Sequence, residues 1–221
     1  MRTRIKVCCI ASVQEANAAI AAGADALGLV ASMPSGPGSI GDALIAEIAA
    51  AVPPPVSTFL LTSETRAAAI CRHVQATQPT AVQIVSPINP SEVAALARLD
   101  ARTRRVQVIH VEGWQALDTI DAYSPFVHAF LLDSGRPSAS TPEFGGTGRV
   151  HDWRISRALV ERSPVPVFLA GGLTPGNVGH AVRSVRPFGL DLCSGVRTDG
   201  RLDIGKLEAF VAEVREADRA A

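Results

Sequence analysis

The sequence predicts a closed (β/α)8 barrel, or TIM barrel, and three observations carry that prediction. Short apolar runs alternate with longer stretches of near-helical periodicity from end to end, and there are eight such pairs. The first run is followed by Ile10-Ala11-Ser12, without the glycine-rich turn that opens a doubly wound sheet. Strands are expected at residues 5–9, 26–30, 56–61, 81–85, 106–109, 129–132, 165–169 and 189–192. Helices are expected at 13–22, 40–52, 64–77, 91–99, 114–120, 153–161, 177–185 and 204–217.

Local chemistry supports these boundaries in order. Ser12 with Glu15 three residues on fits a capping box, and Gly23 suits a left-handed helix end. Ser63, Asn89 and Asp203 occupy helix-start positions. Two long connections, 31–39 and 133–150, are rich in Gly, Ser and Pro and follow strand C-terminal ends, where barrel enzymes place their sites. With no linker or low-complexity tract, residues 1–221 read as one domain.

Composition excludes several functions. The 21 Lys and Arg balance the 21 Asp and Glu without a like-charge block, which argues against nucleic acid or an anionic membrane as partner. No apolar run reaches the roughly 18 residues of a membrane span, and no long apolar stretch follows the basic start, so no signal peptide is expected. The four cysteines have neither metal-type spacing nor secreted-domain density; Cys9, Cys71 and Cys193 read as reduced thiols of a cytoplasmic protein. A monomer or a homodimer is expected.

Chemistry concentrates at strand ends. Gly171-Gly172 after strand seven and Ser194-Gly195 after strand eight would let backbone N–H groups approach a phosphate, with Asn177 at the next helix start. Tight turns alone would also explain these glycines, but two such turns in the two expected places favour phosphate. Period-two alternation puts Lys6 and Cys8 on one face, toward the barrel interior, and Val7 and Cys9 on the other. A thiol beside an ammonium has reason to be partly thiolate. Strand six ends Leu131-Leu132-Asp133, placing a carboxylate at the same rim. Each residue alone also reads as a core thiol or a loop cap, and His110, His128 and His151 as scattered structural histidines.

Lys6-Val7-Cys8, Gly23-Ala24-Asp25-Ala26-Leu27-Gly28, Leu131-Leu132-Asp133, Gly145-Gly146-Thr147-Gly148, Asp152-Trp153, residues 169–178 and Asp191-Leu192-Cys193-Ser194-Gly195-Val196 occur in one order along the chain. Together they resemble the phosphoribosylanthranilate isomerase family. The resemblance implies an Amadori rearrangement of N-(5'-phosphoribosyl)anthranilate in tryptophan biosynthesis, with a sugar-phosphate substrate and neither metal nor cofactor. It implies Asp133 as general acid at the ring oxygen and Cys8 as general base at C2. Gly171, Gly172, Asn177, Ser194 and Gly195 would hold the phosphate, and Lys6, Gly146 and Arg197 are further substrate-binding candidates.

Four positions depart from the family pattern. The loop 32–39 carries no basic residue where the family has an arginine for the anthranilate carboxylate, and Val85 stands where the family has histidine. Arg197 replaces a glutamate and Cys9 a glycine. Arg197 could supply the missing charge from across the mouth. Two further readings stay open: a diverged paralogue that isomerises or binds another sugar phosphate, and a non-catalytic phosphometabolite-binding protein. The retained Cys8 and Asp133 argue against the last.

Overall fold

The computed structural model describes residues 2–136 and 148–220. Eight parallel strands close into a barrel in sequence order: β1 (Arg4–Val7), β2 (Ala26–Val30), β3 (Ser57–Thr62), β4 (Ala81–Ile84), β5 (Arg104–His110), β6 (Ala129–Asp133), β7 (Val167–Leu169) and β8 (Gly189–Leu192). Helices follow each strand: α1 (Val13–Ala21), α2 (Asp42–Ala51), α3 (Ala67–Thr77), α4 (Pro90–Leu99), α5 (Thr119–Tyr123), α6 (Trp153–Arg162), α7 (Pro175–Val185) and α8 (Ile204–Arg219). The fifth segment departs from expectation, since a 3-10 turn over Trp114–Asp118 precedes a helix of one turn and a half. The expected barrel is thus the observed one, with β2 and β8 bounded as expected.

Several helix starts follow the expected chemistry. Ser12, Asn89 and Asp203 accept backbone N–H groups at the starts of α1, α4 and α8. Glu15 reaches back to the Ala11 amide instead of the Ser12 amide, so the reciprocal box is displaced by one residue. Ser63 caps nothing, because α3 begins at Ala67, whose N–H is taken by Glu92 of α4.

Two apolar layers hold the barrel. Outward-facing strand residues such as Val7, Leu27, Leu29, Leu60 and Leu132 pack against the helices. Inward-facing Ala26, Phe59, Val106, Leu131 and Phe168 fill the barrel. Phe59 and Phe168 meet edge to face at 5.9 Å between centroids. Among these rings lies Lys6, fully buried and bonded to Asp191 at 2.8 Å across the β1–β8 seam, where the two residues are register partners. Burial opposes the ammonium charge, yet Asp191 outweighs it and raises the Lys6 pKa.

Candidate active site

A cleft opens at the C-terminal ends of the strands, where the barrel's inward-facing residues give way to loops. Its floor and walls include Cys8 after β1, Gln83 on β4, Asp133 at the end of β6 and Asp191 on β8. The loop after β2 folds over it, contributing Met33, Ser35, Gly36 and Pro37. Ser39 ties that loop back to β2 through a bridge to Val30 and a hydrogen bond to the Ala31 carbonyl.

The surroundings of Asp133 shift its carboxyl toward the protonated form. Burial pushes its carboxyl above the usual range, against the pull of His110, Lys6 and the Ser134 amide, which donates at 2.8 Å. Cys8 shares the cleft, so the sequence alternation that turned it inward together with Lys6 holds. Lys6 itself does not line the cleft. It lies beneath, fully buried and paired with Asp191.

The turns after β7 and β8 converge on the same opening. Gly171 and Gly172 adopt φ of +87° and +61°, in the region that favours glycine, and both line the cleft with Ser194. A Cβ at Gly172 would overlap the Arg149 carbonyl, so the backbones there are in direct contact. Asn177 shapes this turn from behind. Its carboxamide accepts from the Thr174 N–H and donates to the Gly172 carbonyl at 2.9 Å, tying it into the loop. Gly195 likewise abuts the Leu173 carbonyl and is absent from the lining. Of the five expected phosphate contacts, then, Gly171, Gly172 and Ser194 face the cleft, while Asn177 and Gly195 support them. Gly146 lies outside the described residues.

Arg197 contradicts its expected place. Its guanidinium turns away from the mouth to Glu15 on α1 at 2.8 Å and to the carbonyls of Cys8, Cys9 and Gly200 at 3.1, 2.6 and 3.0 Å. The side chain is only 10% exposed. It braces the backbone that carries Cys8 and Cys9. Among the described lining residues, none is basic.

Cys9 is the other correction. Alternation sends it outward, but its φ of +63° breaks the alternation and turns the side chain back into the cleft. There its Sγ lies 2.8 Å from the Cys193 Sγ. Sequence reasoning also passed over Gln83 and Asp191. The Gln83 Oε1 is buried without a protein partner in a residue that lines the cleft, leaving an acceptor for a ligand hydroxyl. The signal was available: Gln83 shares the inward face of β4 with Ala81, and Asp191 is the register partner of the inward-facing Lys6.

The match with known proteins decides the family. A family model described as N-(5'phosphoribosyl)anthranilate (PRA) isomerase matches residues 5–213. The chain belongs to this isomerase family. A relative from Haloarcula marismortui named N-(5'-phosphoribosyl)anthranilate isomerase is 34% identical over 221 residues, covering 99% of each chain. One from Methanosarcina mazei is 37% identical over 210 residues, covering 94% of this chain and 92% of its own length. Among solved structures, phosphoribosyl anthranilate isomerase from Thermus thermophilus superposes with a TM-score of 0.80 at 27% identity, covering 97% of this chain and 99% of that one. That from Thermotoga maritima gives the same score, identity and coverage. Among the described residues of this family member, no helix is long and apolar enough to cross a membrane.

Proposed function

We propose that Asp133 and Cys8 are the acid and base of an isomerase that converts N-(5'-phosphoribosyl)anthranilate to its 1-deoxyribulose isomer in tryptophan biosynthesis. The observation that carries these roles is that a carboxyl and an inward-facing thiol line the same cleft, burial raising the carboxyl's hold on its proton. Asp133 gives its proton to the furanose ring oxygen, the C1–O bond breaks, and the anthranilate nitrogen's lone pair forms the Schiff base. Cys8 then takes the C2 proton, the electrons flow to nitrogen, and the resulting enolamine tautomerises to the ketose. Both steps are proton transfers, each worth roughly 10²–10⁴-fold when the group is well placed.

The turns at Gly171-Gly172 and Ser194 hold the 5'-phosphate and fix the sugar relative to the two groups. Lys6 fixes Asp191 at the wall, and Gln83 offers its carbonyl oxygen to a sugar hydroxyl. Cys8→Ala and Asp133→Asn each lower kcat by at least about 10²-fold in the direct assay with freshly made substrate, with unchanged circular dichroism. A Cys8 or Asp133 variant that retains normal turnover overturns its assignment.

A further inference from the structure

We propose that Cys9 and Cys193 form a peroxide-sensitive dithiol that closes to a disulfide at the cleft and slows the enzyme reversibly. The geometry is already close to the bond. The two Sγ atoms are 2.8 Å apart across the loops that follow β1 and β8, against about 2.05 Å in a disulfide. All four cysteines are free thiols, and Cys193 is the one of the cleft trio with its residue partly exposed. Nothing in the proposed chemistry uses either sulfur.

The position of Cys9 is itself a clue. A φ of +63° suits glycine and is adopted by only a few per cent of other residues, so this chain holds a strained side chain where glycine would fit freely. Its Sγ contacts the Pro37 carbonyl at 3.6 Å, and Gly38 lies so close that any Cβ there would overlap Cys9. The dithiol therefore touches the loop that covers the cleft, the backbone next to Cys8 and the residue before Ser194.

The environment also separates the roles of the two sulfurs. The Cys9 contact and the Arg197 charge favour the Cys193 thiolate against burial, while the same contact, then Cys8 and burial, hold Cys9 protonated. Cys193 is thus the attacking group. Its thiolate takes one oxygen of hydrogen peroxide, the O–O bond breaks, and the leaving hydroxide picks up a proton to become water. Cys9 then attacks the Cys193 sulfenic sulfur: the S–S bond forms, the S–O bond breaks, and the released hydroxide takes the Cys9 proton. Two thiols and one peroxide become one disulfide and two waters.

Closing the gap draws the sulfurs together by most of an ångström and moves the Cys8 backbone against its Arg197 brace. A misplacement of that size at an acid–base site lowers turnover by about tenfold or more. The activity readout rests on the isomerase reading above, whereas the bond itself is read by mass.

The test treats the purified full chain with a small excess of hydrogen peroxide. Titratable thiols should fall from four to two, with the loss of two hydrogen atoms of mass and a linked pair of peptides carrying Cys9 and Cys193. The link should persist in Cys8→Ser, which rules out the adjacent cysteine as the partner. Turnover should drop by about tenfold and return with dithiothreitol. Cys9→Gly and Cys193→Ser should each show neither link nor reversible drop, judged against the same variant before oxidation. Sulfinic or sulfonic acid without the link, or a link lost in Cys8→Ser, overturns the bond. A formed link with unchanged turnover overturns the switch while leaving the isomerase reading intact.

Discussion

Replacing Arg197 tests whether a charge near the mouth serves the substrate or the scaffold. The guanidinium meets four acceptors: Glu15 and three carbonyls, at 2.6 to 3.1 Å. Arg197 and Glu15 are 10% and 14% exposed, so water screens the pair poorly. Removing one partner of such a pair costs about 3–5 kcal/mol. Glu15 keeps the amides of Ala11 and Leu202, which places Arg197→Met toward the lower end. For a chain of this length each kcal/mol shifts Tm by roughly 2–4 °C, so Tm should fall by about 6–15 °C in thermal unfolding followed by circular dichroism. Arg197→Glu should fall further, because it sets a second carboxylate against Glu15 and the carbonyls. Arg197→Lys recovers part, since an ammonium reaches fewer of the forked acceptors. A shift below about 3 °C with a raised KM would refute this reasoning and return Arg197 to the substrate.

Three further outcomes follow from the site. Gly195→Ala would force a Cβ into the Leu173 carbonyl, so the turn after β8 must move; kcat/KM should fall by about 10²-fold and inhibition by inorganic phosphate should weaken, whereas an active variant with intact phosphate inhibition would dismiss the turn. Pro37→Arg adds a cation to a cleft whose described lining has none, and should lower KM for phosphoribosylanthranilate by roughly 10- to 150-fold, the worth of one charged hydrogen bond; an unchanged KM would show that the carboxylate binds elsewhere. Burial lowers the His151 pKa to about 4, below its ordinary value, so the unfolded chain takes the proton first on acidification. Stability from this group is then complete above about pH 6.5 and is lost as pH falls toward 4, by up to about 3 kcal/mol; in His151→Phe the denaturation midpoint should lose that dependence, and a wild-type midpoint flat across the window would contradict it.

The barrel was legible because its signal is additive. Eight alternations of period, capped by Ser12, Asn89 and Asp203, survive an error in any one, and the short fifth helix cost nothing. The site was legible wherever a side chain follows its strand: Cys8 and Asp133 needed only alternation and a strand end. It failed where one dihedral or one long side chain decides. A single left-handed residue reverses Cys9, and a flexible arginine at the rim finds Glu15 and three carbonyls instead of solvent. Asn177 was placed at the correct turn, but the sequence carried no sign that its amide would be tied to Gly172 and Thr174.

The Lys6–Asp191 pair joins residues 185 positions apart, and the Thr3 hydroxyl reaches Asp218 over 215. Both span the seam between the first strand and the last elements made. Until β8 is made the Lys6 ammonium lacks its Asp191 partner, and an ammonium without its hydrogen-bonded partner resists burial in a dry interior. Premature collapse around β1 is thereby penalised, and entry becomes favourable only when β8 brings its carboxylate at the matching register. Such long-range closure slows folding, since the loop entropy is spent before the contact forms. The same ion pair that weakly serves stability also marks the alignment of the first strand on the last, Lys6 opposite Asp191, in which Cys8 shares a cleft with the turns after β7 and β8.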